Sequence, residues 1–226
     1  MIGMIKAIFY KEWIKIRRFY PVCAVVVLGF TLFSVFRVDR IADFRGVEHI
    51  WEILLEKDSV LIEMLQYLPL LCGILLAIVQ FVPEMAQKRL KLTLHLPFPQ
   101  NRMILLMLSV GASALLLLFA LQAIIIYLYF SHILVNELTS RILLTAAPWF
   151  IAGMTAYFCT VWICLEPTWK WRIAEALTAT GLCRIFFLSQ MPQAYDGMLI
   201  WLLIITAFTL TAPLLSIWRF RQGCQD

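Results

Sequence analysis

Charge is scarce in this sequence. Asp, Glu, Lys and Arg make up 15% of its 226 residues, against roughly 25% in an ordinary soluble domain. Hydrophobic residues make up 62%, and the mean hydropathy is +0.86. A water-soluble fold is excluded, and the chain reads as an integral membrane protein. A phosphate loop is also lacking, because none of the nine glycines precedes Lys, as the Gly-x-x-x-x-Gly-Lys-Ser/Thr pattern requires. The chain is therefore not an ATPase of that kind. There is no disulfide framework either. Cys23, Cys72, Cys159, Cys164 and Cys183 lie in apolar runs and Cys224 in the tail, with no clustered pair in a polar loop, so they read as small buried hydrophobes. No His-Glu-x-x-His, Gly-x-Ser-x-Gly or carboxylate cluster occurs in the apolar runs, which argues against an intramembrane enzyme, since catalysis at depth needs paired polar groups. Neither an internal repeat nor a low-complexity linker interrupts the chain, so residues 1–226 read as one domain.

What is present is a series of apolar runs at about residues 20 to 36, 59 to 82, 103 to 130, 142 to 165, 173 to 189 and 198 to 218. Each approaches the roughly 20 residues that a membrane-spanning helix needs. The expected fold class is all-α: a polytopic domain of six transmembrane helices over 20–218, preceded by an interfacial helix at 1–19 and followed by a tail at 219–226. The first run follows a basic start but is not itself followed by a small-residue cleavage site, so it is expected to be a retained span. With the N-terminus inside, thirteen of the nineteen basic residues fall on the inner side, and both termini are expected to be cytoplasmic. The net charge of +5 thus reports orientation, and nucleic acid is not an implied partner. Pro69, Pro148 and Pro213 fall within spans, where proline can bend a helix.

Residues 2 to 18 place Ile2, Ile5, Phe9, Trp13 and Ile16 three or four apart, with Lys11, Lys15 and Arg18 on another face. This predicts an amphipathic helix in the inner interface whose bases meet anionic lipid headgroups. The loop between the second and third runs reads PEMAQKRLKLTLHLPFPQNR, with Glu84 near its start, Lys88 and Arg89 after it, then Thr93, Leu94 and Pro97. Its leucines exceed what a solvated loop needs, so a short helix with something to pack against is expected.

The basic N-terminal helix with the pair Lys11-Glu12, followed by a loop of the form Glu, bases, Thr-Leu, Leu, Pro, Arg, resembles the ABC-2 type permeases of ATP-binding-cassette exporters. The likeness extends to length, six spans and both ends inside. It departs at Leu92, where the family usually has Gly, and lacks the basic residue common early in the third span. The resemblance implies that residues 2 to 18, with Lys11, Glu12, Trp13, Lys15 and Arg18, form a connecting helix. It implies that Glu84, Lys88, Arg89, Thr93, Leu94 and Pro97 form a coupling helix docked on an ATPase subunit. A second coupling contact would lie at Glu166, Trp169 and Lys170, a segment that reads equally as an interfacial aromatic anchor. The implied partners are ABC ATPase subunits, a second permease copy or related chain, and membrane lipids. This chain would hold no cofactor or metal, with ATP and Mg bound by the partner, in a bacterial inner or cytoplasmic membrane.

Arg184 lies inside the fifth run, where a charge is costly, about 2.5 to 3.5 kcal/mol on insertion scales. Glu63 and Gln66 are its candidate partners across the bundle, and Glu175 sits nearer the inner end. After the first run, GVEHIWEILLEKDS reads as an outer amphipathic helix. Glu48, His49 and Glu52 within it are a solvated face rather than a metal site, because adjacent residues point apart. Met103 and Met107 read as core rather than soft-metal ligands. The leading expectation is a membrane-spanning ABC exporter subunit. A non-transporting scaffold or sensor that recruits a soluble protein is the alternative, and an intramembrane enzyme comes after it.

Overall fold

The computed structural model describes residues 2–46, 60–86, 99–189 and 191–222, and all regular structure among them is helical. The helices are α1 (Ile2–Ile16), α2 (Tyr20–Arg45), α3 (Leu68–Ala86), α4 (Gln100–Ile133), α5 (Asn136–Leu165), α6 (Trp169–Ile185) and α7 (Leu199–Arg221), with short 3₁₀ turns at Glu63–Leu65 and Asp196–Met198.

Five segments are long and apolar enough to cross a membrane: Tyr20–Ile41, Glu63–Ala86, Gln100–Ile133, Asn136–Leu165 and Asp196–Phe220. They coincide with five of the six apolar runs. The run at 173 to 189 falls instead on α6, whose 17 residues rise about 25 Å at 1.5 Å each, short of a hydrocarbon core about 30 Å thick. Lys170, Arg172, Glu175 and Arg184 all lie on it, so its composition is also the least apolar of the six.

Helix α5 is the centre of the bundle. In its most apolar stretch 67% of residues are buried, against 33% for α2 and 22% for the last span. It packs on α3, α4, α6 and α7. The approach of α3 to α5 is close because glycines face each other. A Cβ built on Gly73 would collide with the Gly153 carbonyl oxygen, and one on Gly153 would lie 2.7 Å from both Phe119 and the Pro69 carbonyl oxygen.

The face of α1 that packs on the bundle is not the one that carries Ile5, Phe9 and Trp13. Ile8, Glu12 and Ile16 form its buried stripe, while Ile5, Phe9 and Trp13 remain between 37% and 50% exposed. Arg18 falls in the turn after the helix. Spacings of four residues carry Ile8, Glu12 and Ile16 along one side of the helix. The reason that this side turns inward lies in what Glu12 meets.

Because the α3–α5 approach has no room for a side chain, Gly73→Ala and Gly153→Ala are each expected to destabilise the purified protein by about 1–3 kcal/mol, the usual cost of overpacking. Gly29 has nothing within 4 Å of an added Cβ, so Gly29→Ala is the control and should leave thermal unfolding in detergent unchanged or raised. Equal behaviour of the three variants would refute the packing account.

Candidate functional site

A glutamate buried against apolar helices needs a cation and hydrogen-bond donors. Glu12 is fully buried and has both. Its Oε1 accepts from Lys15 Nζ at 2.7 Å, and its Oε2 accepts from Gln80 Nε2 at 3.1 Å. Lys15 also donates to Glu84 Oε1, and Lys11 Nζ approaches the same oxygen at 3.0 Å. Glu84 is fully buried near the end of α3, and its Oε2 has no hydrogen-bond partner. Two carboxylates and two ammonium groups therefore share one joint. Lys11 and Lys15 are drawn inward to it, and the Lys15 side chain is only 12% exposed. Lys15 is thus mostly withdrawn from the surface, whereas the Lys11 side chain remains 37% exposed.

Gln80 carries the joint into the bundle. Its Nε2 also donates to the Met107 carbonyl oxygen at 2.8 Å, and its Oε1 accepts from the Tyr157 hydroxyl at 2.8 Å. Tyr157 is fully buried on α5. Gly111 on α4 makes this possible, since a Cβ there would overlap the Tyr157 hydroxyl and approach Gln80 Oε1. One polar chain thus links α1, α3, α4 and α5. Burial pushes the Glu12 carboxyl above its ordinary value, and the charge of Lys15 offsets only part of that.

A second cluster closes the α5–α6 junction. Glu166, fully buried just after α5, accepts from Ser216 Oγ at 2.6 Å and Arg219 Nη1 at 3.3 Å through Oε2, and from Thr168 Oγ1 at 2.9 Å through Oε1. Arg172 Nη2 donates to its backbone carbonyl at 2.6 Å. Glu175 Oε1 lies 3.3 Å from the same serine oxygen and 3.5 Å from the same guanidinium nitrogen. Arg219 also stacks over Trp171, 4.3 Å from the ring centroid. Burial alone would raise the Glu166 carboxyl, but hydrogen bonding with Ser216, Glu175 and Thr168 and the charge of Arg219 together outweigh it and hold the group below the usual carboxylate value.

The residues expected to contact a partner therefore divide. Glu84 and Glu166 face inward and hold helices together; Trp169 and Lys170 are exposed. Lys88, Arg89, Thr93, Leu94 and Pro97 lie outside the described residues, as does the segment with Glu48, His49 and Glu52. Arg184 is exposed and, among the described residues, forms no ion pair or hydrogen bond with Glu63 or Gln66. Glu63 is itself exposed, and Gln66 is buried away from solvent. Glu175 belongs with Arg219, not Arg184. Sequence reading missed Gln80, Tyr157, Ser216 and Arg219. Gln80 was findable: a polar residue inside an apolar run, one helical turn before Glu84. Among the described residues, no group of three or more His, Cys, Asp or Glu could hold a metal ion, and the five described cysteines are free.

Set against known proteins, the chain matches no family model, no curated protein and no solved structure.

Chemically the two clusters are joints: apart from Glu84 Oε2 and Glu175 Oε2, which have no hydrogen-bond partner, their carboxylate oxygens are met by other groups of the protein, and their work is to couple helices. Lys15→Met should cost about 3–5 kcal/mol, the usual consequence of stranding buried charge. Adding Glu12→Gln and Glu84→Gln to that variant should restore most of the loss, because no carboxylate is then left unmatched. Thermal unfolding of the single and triple variants in detergent tests this, and additive losses would contradict the joint.

Proposed function

We propose that the chain is the membrane-spanning permease subunit of an ABC exporter of the ABC-2 type, working with a separate ATPase that binds ATP and Mg. The observation that carries this reading is the position of Glu84. It lies in the last turn of α3, shortly before the segment with Lys88, Arg89, Thr93, Leu94 and Pro97 in the sequence, and it is gripped by two lysines of α1. A force applied to that segment by a docked ATPase passes through the chain into α3. From there it passes through Glu84 into α1, and through Gln80 and Tyr157 into α4 and α5. Stretching the joint would leave charges unpaired in a low-dielectric setting, so the helices transmit displacement as a unit.

In this reading α6 is the sixth span, shorter than the others, both termini are cytoplasmic, and α1 is the connecting helix. The exposed Trp169 and Lys170 offer a second contact to the ATPase, with Glu166 positioning their loop from within. The weakly buried faces of α2 and α7 meet lipid and a second copy or a related chain. The membrane is a bacterial inner or cytoplasmic one.

The test is isolation of the tagged chain from its own cells in mild detergent. A phosphate-loop ATPase should accompany it in near-stoichiometric amount. Reversing the two bases (Lys88→Glu with Arg89→Glu) should reduce the recovered ATPase about tenfold, a change of about 1.4 kcal/mol, without reducing membrane insertion. Recovery of no such ATPase, or recovery unaffected by the reversal, would overturn the reading.

A further inference from the structure

Between α3, α5 and α6 lies a groove of about 580 Å³, within the range of 300–1,000 Å³ typical of ligand sites. Its walls are apolar for most of their length, with Ile74 on α3 and Ala179 on α6, and Tyr67, Thr160 and Thr180 are among the lining residues. At one end stands Arg184, and at the same end the Tyr67 ring stacks on Phe187 with centroids 5.0 Å apart. The α6 wall runs from Ala176 to Arg184, about 12 Å at 1.5 Å per residue.

The guanidinium is the unusual member. Arg172 of α6 and Arg219 of α7 each have an acceptor on Glu166, whereas Arg184 is exposed and has no acceptor among the described residues. An arginine placed beside apolar helix faces is costly unless it reaches water or an anion, and its planar fork suits carboxylate or phosphate oxygens better than a point charge does. A small water-soluble anion would use the charge but not the long apolar wall. A neutral acyl chain would use the wall but leave the charge unmet.

We propose that this groove binds an anionic phospholipid of the surrounding membrane, with one acyl chain along α3, α5 and α6 and its phosphate on Arg184. The second chain stays in the bilayer. The assignment does not depend on the transport reading, since a lipid can occupy the groove whether or not it is moved.

The experiment uses the full chain in nanodiscs of phosphatidylcholine doped with either of two photoreactive probes, phosphatidylglycerol or phosphatidylcholine carrying a diazirine on one acyl chain. Cross-linked positions are located by peptide mass spectrometry. Residues 176–187 should be labelled by the phosphatidylglycerol probe about tenfold more than by the phosphatidylcholine probe. Arg184→Gln should abolish that preference, and Arg184→Lys should keep part of it. Ala179→Phe, which fills the groove without touching the charge, should suppress labelling there by both probes. Labelling elsewhere on the chain is the internal control for bulk attraction to basic residues. Equal labelling of 176–187 by the two probes, a preference that survives Arg184→Gln, or no labelling because another protein surface covers the groove would each overturn the proposal. If Arg184→Gln does not accumulate in membranes, the comparison of probes on the unaltered protein and on Ala179→Phe decides the matter.

Discussion

A lysine held between two buried glutamates fixes the arrangement of this bundle. Lys15 reaches Glu12 on its own helix and Glu84 on α3, and neither carboxylate has water to fall back on. Attraction between such charges need not exceed the cost of desolvating them. What it does is make every alternative placement of α1 worse. Rotating α1 by a third of a turn would bury its more apolar side, with Ile5, Phe9 and Trp13, but would take Glu12 out of reach of Gln80 and strand Glu84 without its ammonium groups. The helix therefore presents its less apolar face to the protein and leaves the more apolar one for lipid, the opposite of what governs an amphipathic helix on a soluble core.

The glycines belong to the same constraint. Tyr157 and Gln80 meet only because Gly111 leaves space for their polar atoms, and α5 lies near enough to α3 only because Gly73 and Gly153 face each other. Close helix approach through small residues is a general device in lipid, where apolar side chains gain little by leaving one hydrocarbon environment for another. Here it brings polar groups of four helices within hydrogen-bonding distance. Packing and electrostatics are thus not separate contributions, since a methyl group at any of the three positions would displace the hydrogen-bonded chain or the helices that carry it.

Hydropathy made most of the fold legible, because a run of twenty apolar residues has one dominant use. Five spans emerge from composition and length alone. It was a poorer guide at α6, where Lys170, Arg172, Glu175 and Arg184 dilute the run and the helix ends at Ile185. The candidate site was legible in part. Lys11, Glu12, Lys15 and Glu84 stood out as charges in a chain that has few, but periodicity assigned the lysines to a lipid-facing surface. Periodicity sorts residues by polarity and is blind to a counter-charge sixty-nine positions away, as Glu84 is from Lys15. Gln80, Tyr157 and Ser216 were hidden for a related reason: a single polar side chain in a membrane helix acquires meaning only from the neighbour opposite, and that neighbour is set by helix packing.

The two ends of the bundle are consequently held by different physics. At the end formed by the last turns of α3, α5 and α7, both charge clusters lie close to the helix termini, and each helix there is tied to another by charged or hydrogen-bonded groups. At the opposite end Val38, Ile62, Leu65, Ile126, Phe130 and Leu138 pack in an apolar cluster, and the polar contacts there, such as the Tyr129 hydroxyl to Asp39 Oδ1 at 3.0 Å and the Gln193 backbone N–H to Thr145 Oγ1 at 3.2 Å, join neutral groups or lie at its rim. In water the apolar end would be the stronger. In a bilayer lipid tails replace those apolar contacts at little cost, whereas nothing in hydrocarbon replaces a counter-ion. The charged end is therefore the one at which separating the helices would cost more.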